Sequence, residues 1–199
     1  MILEVIVERA AKRDRYMVAV AGPPGAGKST FSRDLVRMLP PRAATVVEMD
    51  GFHYDNAVLD ELGLRGRKGA PETFDYPGLA ALLRRIRRVE PRIAVPVFDR
   101  PADLARAGAA IIGQEVQFII VEGNYLLLDE DPWRGLAEYF DLAVFIDVPR
   151  EELRQRLLQR WIQLGDSQQK AGHWVATNDM PNVDRVLSRR RKEDLCLRG

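Results

Sequence analysis

Hydrophobic positions along the chain fall into short apolar runs that alternate with amphipathic stretches. The apolar runs have the length and composition of buried strands, and they cover residues 16–21, 44–49, 116–122 and 142–147. In the stretches between them apolar residues recur every three or four positions, which predicts helices over residues 30–39, 79–90 and 149–165. Strands that alternate with helices are typical of a parallel sheet, so the pattern predicts the α/β class.

Three other segments fit elements at the margins of such a sheet. Residues 1–15 carry an apolar patch and predict a short helix, and residues 183–199 predict a helix with a short final strand. The run over residues 93–98 contains Pro96, which cannot donate a hydrogen bond inside a sheet. We therefore expect that run at a sheet edge or in a side hairpin, paired with residues 109–113.

The stretch between Gly51 and Pro77 lacks any clear period and is rich in glycine and charge. Loops of that length without structure are uncommon unless they are functional. We interpret this stretch as a loop that covers a substrate, the alternative being a plain surface excursion.

Composition limits the classes of function. With 199 residues, 46% hydrophobic and 30% charged, the chain suits one globular domain over residues 1–199. A net charge of +1 gives no electrostatic reason to expect nucleic acid or a membrane as partner. The prediction is a small-molecule partner, and the oligomeric state stays open, with a homodimer as one option.

Cysteine and histidine content points to a reducing compartment without structural zinc. Cys196 is the only cysteine, so no internal disulfide can form, and a cytoplasmic location is expected. His53 and His173 lie far apart in the sequence, which makes a zinc site a poor interpretation. No apolar run approaches the length of a membrane span, and the first residues lack a cleavage signal.

The segment GPPGAGKST, residues 22–30, carries the strongest chemical signal. It fills the pattern G-x-x-x-x-G-K-S/T, follows a predicted strand and opens a predicted helix. Backbone amides of such a loop converge on phosphate oxygens at a helix N-terminus. The predicted nucleotide-binding residues are Gly22, Pro23, Pro24, Gly25, Ala26, Gly27, Lys28, Ser29 and Thr30. A chance glycine turn is the alternative.

Two members of this segment have distinct predicted roles. Lys28 would place a cation at the β- and γ-phosphates, and the Ser29 hydroxyl would be a ligand of Mg²⁺. The N-K-x-D element that reads guanine does not occur, so ATP is the expected donor.

Asp50 follows the apolar run that ends at Met49, where open α/β sheets bind their ligands. We expect its carboxylate to face the γ-phosphate and to orient the hydroxyl of an acceptor. The alternative is an ordinary turn aspartate before Gly51.

Two carboxylates are candidates for a second protein ligand of Mg²⁺, after the Ser29 hydroxyl. Glu122 ends one predicted strand and Asp147 ends another. We favour Glu122, because Gly123 and the polar Asn124 follow it as in a crowded site, and we place it near the acceptor as well.

Arg156 and Arg160 lie four residues apart and share a helical face. They are predicted to close over the donor phosphates as a catalytic lid, with a solvated charged face as the alternative. His53, three residues after Asp50, would help to place the acceptor or serve as a structural histidine. His173 is expected to be structural.

Six segments in this order resemble the phosphoribulokinase/uridine kinase superfamily, which includes bacterial pantothenate kinase: GPPGAGKS, MDGFHYDN, RKGAPETFD, VPVFDR, VEGNYLLL and VFIDVPREELRQRLLQRW. The resemblance spans nearly the whole chain. It implies a P-loop NTPase fold with a five-stranded parallel sheet, a small hairpin and an arginine lid. It also implies phosphoryl transfer from ATP with Mg²⁺.

The resemblance also implies roles for single residues. Asp50 matches the catalytic aspartate, and Lys28 with Ser29 matches the phosphate and magnesium residues. Arg156 and Arg160 match the lid. Asp75 and Phe98 match acceptor-side positions of uridine kinases, with Arg106 a looser match, and residues 178–182 resemble a segment near the nucleotide.

The chain departs from uridine kinases in one motif, because it has DGFH where they usually have D-x-F-Y. The combination of DGFHYDN with RKGAPETFD is similar to small bacterial kinases of the fructose-transport or nucleoside-kinase-like kind. The expectation is an ATP-dependent kinase that acts on a hydroxyl of a small metabolite. A sugar such as fructose is the first acceptor, and a nucleoside or a pantothenate-like alcohol is the second. A regulatory ATPase without an acceptor is the alternative from another class.

Overall fold

The computed structural model describes residues 2–199, and its centre is a five-stranded parallel sheet in the order β2-β5-β1-β6-β7. The strands of this sheet are β1 Tyr16–Ala21, β2 Ala44–Glu48, β5 Phe118–Gly123, β6 Leu142–Asp147 and β7 Leu195–Arg198. The predicted α/β class is confirmed. All four apolar runs form strands, and the tail supplies the fifth.

Helices cover both faces of the sheet. Alternate side chains of β1 enter two different core clusters, since Met17 and Ala19 face one side and Val18 and Val20 face the other. The helices are α1 Ile2–Ala10, α2 Lys28–Met38, α3 Asn56–Glu61, α4 Tyr76–Arg87, α5 Arg150–Gln163, α6 Gln168–Trp174 and α7 Met180–Ser188. Within residues 2–199, no helix has the length and apolar character needed to cross a membrane.

An antiparallel hairpin of β3 Arg92–Asp99 and β4 Leu104–Gly113 lies beside the main sheet. Its register shifts between Val95 and Val97, at the proline that cannot donate to the ladder, as expected. The hairpin crosses close to the turn after β2. A Cβ on Gly51 would stand 2.6 Å from the carbonyl oxygen of Pro96, so only glycine fits there.

The segment between Gly51 and Pro77 is more ordered than its sequence suggests. It contains α3 and the short 3₁₀ turns Arg65–Arg67 and Pro71–Thr73. Hydrogen bonds from polar side chains, and not a regular spacing of apolar residues, organise this segment. Asp55, for example, accepts a hydrogen bond from the Ala57 amide and so caps α3.

Candidate active site

The phosphate loop, residues 22–29, connects β1 to α2 at the carboxyl edge of the sheet. Gly25 and Gly27 have φ angles of 83° and 87°, a region that side chains with a Cβ rarely adopt. A Cβ on Gly22 would lie 2.8 Å from the backbone oxygen of Ile146. The glycines of the motif are therefore required by backbone conformation and close packing.

The ammonium group of Lys28 is buried beneath this loop. Its Nζ donates hydrogen bonds to the carbonyl oxygen of Pro23 at 2.9 Å and to Oδ1 of Asn124 at 2.6 Å. Burial lowers the pKa of Lys28, while the nearby carboxylates of Glu122 and Asp50 act in the opposite direction. Asn124 thus becomes a member of the site through its contact with the lysine.

The Ser29 hydroxyl and the Glu122 carboxylate are direct partners. Ser29 Oγ donates a hydrogen bond of 2.7 Å to Glu122 Oε1, and Glu122 is only 4% exposed. Burial raises the pKa of Glu122, and the Lys28 charge opposes that shift. Asp147, the competing carboxylate, ends β6 and makes no side-chain hydrogen bond to the loop among residues 2–199. The geometry favours the Ser29–Glu122 pair as the candidate magnesium site.

Asp50 lies in a 3₁₀ turn, Met49–Phe52, directly after β2. Its side chain is 22% exposed, and Arg100 Nη2 donates a 2.9 Å hydrogen bond to its Oδ2. Burial acts to raise the pKa of Asp50, but the charges of His53, Arg100 and Lys28 outweigh it, so the pKa lies below its usual value. The carboxyl group is therefore ionised at neutral pH.

His53 follows on the same turn and contacts both Asp50 and the hairpin. Its Nδ1 lies 2.9 Å from the backbone oxygen of Asp50, and its ring packs 3.9 Å from Phe74 and 4.9 Å from Phe98 between centroids. Burial lowers the pKa of His53 despite the nearby Asp50 carboxylate.

A cavity of about 500 Å³ opens in front of Asp50. Residues from the segment after β2 and from the hairpin form one wall, including His53 and Phe98. Helices α5 and α6 form the other, including Trp161 and Trp174. The volume is typical of a small-molecule site.

The two predicted lid arginines differ in position. Arg160 lines the cavity, where burial and the charge of Arg100 lower its pKa. Arg156 lies outside it, donating a 3.4 Å hydrogen bond to the Gly25 carbonyl and a 2.5 Å one to Glu152.

Three predicted acceptor-side residues do not line the cavity: Asp75, Arg106 and Glu122, whose carboxylate instead accepts the hydrogen bond from Ser29. Asp75 accepts a 2.9 Å hydrogen bond from the Gly78 amide and so caps α4. Arg106 lies on the exposed hairpin strand β4, 3.3 Å from the Asp99 carboxylate. Phe98, in contrast, does line the cavity.

Sequence patterns missed several members of the cavity wall. The apolar spacing of residues 149–165 indicates only that Trp161 is on the buried face of its helix, and His173 is predicted to be structural, yet both line the cavity together with Trp174. Lys68 and Asp103 come from segments 35 residues apart and meet at 2.8 Å. No local spacing links such residues. Residues 178–182 contribute Asp179 and Asn182 to the cavity, and their proximity to the nucleotide stays a prediction.

The model of the Phosphoribulokinase / Uridine kinase family matches residues 17–192 of this chain. The chain is 40% identical over 187 residues to the uncharacterized protein YggC of Escherichia coli (strain K12), covering 92% of this chain and 77% of that protein. It is 30% identical over 166 residues to a pantothenate kinase of Limosilactobacillus reuteri subsp. reuteri (strain JCM 1112), covering 81% of this chain. That match spans about half, 54%, of the pantothenate kinase.

A solved structure is similar along almost its whole length. It is described as a putative fructose transport system kinase from Silicibacter sp. TM1040. The two chains share 40% sequence identity with a TM-score of 0.91, covering 98% of this chain and 96% of the other.

Proposed function

Since the chain belongs to the phosphoribulokinase/uridine kinase family, we propose that it transfers the γ-phosphoryl group of ATP to a hydroxyl group of a small metabolite within one catalytic domain. The observation that supports this proposal most is the position of Asp50. Its ionised carboxylate lines the cavity beside the phosphate loop, where an acceptor hydroxyl would meet the γ-phosphate.

The phosphate loop would hold the donor. Its backbone amides and the Lys28 ammonium would bind the β- and γ-phosphates. Ser29 and Glu122 offer hydroxyl and carboxylate oxygens that meet at 2.7 Å, and oxygen is the ligand type that Mg²⁺ prefers. Magnesium held there would neutralise charge on the phosphates during transfer.

Asp50 would orient the acceptor hydroxyl and receive its proton. As the acceptor oxygen forms a bond to the γ-phosphorus, the bond between that phosphorus and the bridging oxygen breaks and ADP leaves. Lys28 and Arg160 would stabilise the charge that spreads over the transferred group. Arg100 would hold the Asp50 carboxylate in position through its hydrogen bond.

For the acceptor, a sugar such as fructose is our first proposal. Its support is the similarity to the protein described as a putative fructose transport system kinase, which extends over 98% of this chain. A pantothenate-like alcohol and a nucleoside are the second candidates, because a pantothenate kinase is 30% identical over 166 residues and the family includes uridine kinases.

Acceptor-dependent release of ADP tests the proposal. ATP and Mg²⁺ are supplied with D-fructose, other monosaccharides, uridine or pantothenate, each in turn. A kinase releases ADP faster with its acceptor, and a phosphorylated product of matching mass accumulates. ADP release that is the same with every compound would instead support a regulatory ATPase.

A further inference from the structure

Positive charge in the cavity is almost entirely neutralised by carboxylates of the same chain. Of the five arginine and lysine side chains that line the cavity, four hold a carboxylate: Arg65 with Asp60, Lys68 with Asp103, Arg100 with Asp50 and Lys170 with Asp166. The fifth, Arg160, has no carboxylate within 4.0 Å among residues 2–199 and lies close to Arg100 and Asp50. It is therefore placed for the phosphoryl group.

The pairing of Lys68 is the most complete. Its Nζ lies 2.8 Å from Asp103 Oδ1, 2.9 Å from the Asp103 carbonyl oxygen and 2.7 Å from Asn56 Oδ1. Asn56 in turn donates a 2.9 Å hydrogen bond to Asp103 Oδ2. The Lys68 side chain is only 12% exposed. An anionic acceptor that bound Lys68 would strip Asp103 of its partner, which is costly for a partly buried pair.

The opposite wall carries Arg160 and Lys170 and adds an aromatic corner to them. The rings of Trp161 and Trp174 meet edge to face, with centroids 5.9 Å apart and planes at 71°. Trp161 is fixed by a 2.7 Å hydrogen bond from its Nε1 to Asp179 Oδ2. Both rings line the cavity and remain partly exposed.

Two polar atoms at this corner have no partner. The indole Nε1 of Trp174 is a donor, and Oδ1 of Asn182 is an acceptor. Neither has a hydrogen-bond partner in the described part of the chain. Asn182 lines the cavity although it is only 2% exposed. Buried polar groups are rarely left without partners. Both atoms have almost no area open to the cavity, so a ligand would pair with them after a small adjustment of these side chains.

We infer that the acceptor is an uncharged, polyhydroxylated ring compound that packs its apolar face against Trp161 and Trp174. Once a small side-chain adjustment opens these atoms to the cavity, its hydroxyl groups supply both the acceptor that Trp174 lacks and the donor that Asn182 lacks. A monosaccharide and the ribose of a nucleoside share this chemistry. An acidic alcohol is disfavoured, because it would have to compete with Asp103 for Lys68, the most buried of the paired cations in the cavity. The inference rests on the proposed kinase function.

Binding of acceptors can be measured without turnover through tryptophan fluorescence. Trp133 is buried at 3% exposure and does not line the cavity, whereas the other two tryptophans do. We expect D-fructose or uridine to change the emission of Trp161 and Trp174 in a saturable way, and pantothenate and D-glycerate to have no such effect. Binding of D-fructose without binding of uridine would identify a free sugar as the source of the ring, and the reverse result would identify a nucleoside.

Two substitutions at Trp174 distinguish the contribution of its aromatic surface to acceptor binding from that of its indole N–H. Trp174→Ala should raise the acceptor Kd and KM by about tenfold or more, as expected when an aromatic stacking surface is lost. Trp174→Phe should give a smaller increase, because the stacking surface is kept. Gln169→Ala, an exposed change on the same helix outside the cavity wall, is the matched control and should leave the Kd unchanged. ATP binding, measured by calorimetry, should be the same in all three variants.

A variant that gains affinity for acidic compounds tests whether the pairing of Lys68 with Asp103 keeps such compounds from binding. Asp103→Asn removes the carboxylate from Lys68, and asparagine accepts the positive φ of 52° found at this position. We expect the variant to bind pantothenate or D-glycerate at least about tenfold more tightly than the wild type does, since a cation is freed.

Tight binding of pantothenate or D-glycerate to the wild-type protein would overturn the inference and leave the kinase proposal intact. A Kd for the neutral acceptors that Trp174→Ala leaves unchanged would overturn it as well, as would failure of every neutral compound to bind. The kinase proposal fails separately, if ADP is released at one rate whichever acceptor is present.

Discussion

At the scale of single residues, the site consists of groups whose charges depend on one another. Lys28, Asp50, Glu122 and Arg100 lie close enough for each to shift the pKa of a neighbour. Burial favours the neutral forms of Lys28 and Glu122, while their mutual attraction favours the charged forms. A bound metal and nucleotide would enter this balance, so we expect substitutions of Lys28 and Glu122 to change nucleotide binding and rate together.

Removal of the Lys28 ammonium should impair both nucleotide binding and turnover. In Lys28→Ala the loop loses a cation that is held by Pro23 and Asn124, so the phosphates lose their only buried positive side chain in the loop. We expect ATP affinity, measured by calorimetry, and kcat each to fall by about tenfold or more. Turnover equal to that of the wild type would remove the phosphate loop from the mechanism.

Arg100 should control the acid side of the pH profile. Its guanidinium group is one of the cations that keep the pKa of Asp50 below the usual 3.8. Without this cation the carboxylate is less stabilised, so Arg100→Gln should raise the pKa of Asp50 and move the acid limb of kcat/KM to higher pH.

The matched control is Arg92→Gln, at the exposed far end of the same hairpin. We expect its pH profile to coincide with that of the wild type. An acid limb that stays in place in Arg100→Gln would show that Arg100 does not act through the Asp50 carboxylate.

At the scale of elements, the hairpin and the α5–α6 pair bring distant residues to one cavity. The hairpin packs on the Asp50 turn through the contact between Gly51 and Pro96, and it carries Phe98 and Arg100. Helix α5 follows β6 and brings Leu157 and Arg160 to the opposite side. Positions on these two elements therefore decide what the cavity accepts.

Asp75 is expected to affect the stability of helix α4 and not the binding of the acceptor. Its carboxylate caps α4 through the Gly78 amide, so Asp75→Ala should cost about 1 kcal/mol of stability. Asp75→Asn keeps a capping oxygen and should be close to the wild type in Tm. We expect both variants to keep the wild-type KM for the acceptor.

Thermal unfolding and steady-state kinetics of the two variants decide between the cap and the acceptor-binding role implied by family resemblance. A large increase in the acceptor KM for Asp75→Asn, with Tm unchanged, would restore Asp75 to the acceptor site.

At the scale of the whole molecule, much of the fold follows from hydrophobic periodicity alone. The four apolar runs form strands because their apolar residues are continuous; β1, β5 and β6 are buried almost throughout and β2 only partly. Pro96 correctly places its run in a hairpin. Helix α2 begins at Lys28, two residues before the helix predicted from periodicity, since its first turn belongs to the phosphate loop. The segment after Gly51 escaped prediction because caps such as Asp55 organise it, and these leave no period.

In the candidate site, too, some residues could be predicted from the sequence and others could not. Lys28, Ser29, Asp50 and Glu122 follow from local signals, a loop motif and the ends of strands. The aromatic corner does not, because Trp161 lies in an amphipathic helix whose pattern only indicates burial. Contacts such as Lys68 with Asp103 depend on how the hairpin meets the preceding segment, which no spacing in the sequence encodes.

The most direct test of the account is phosphoryl transfer by Asp50→Asn. The acceptor found with the wild type is mixed with γ-labelled ATP and Mg²⁺, and labelled product is measured in a single turnover. The account predicts that Asp50→Asn binds ATP as the wild type does but transfers phosphate about 10²–10⁴-fold more slowly, the usual contribution of a positioned base. Transfer at the wild-type rate would contradict the assignment of Asp50 as the residue that orients the acceptor.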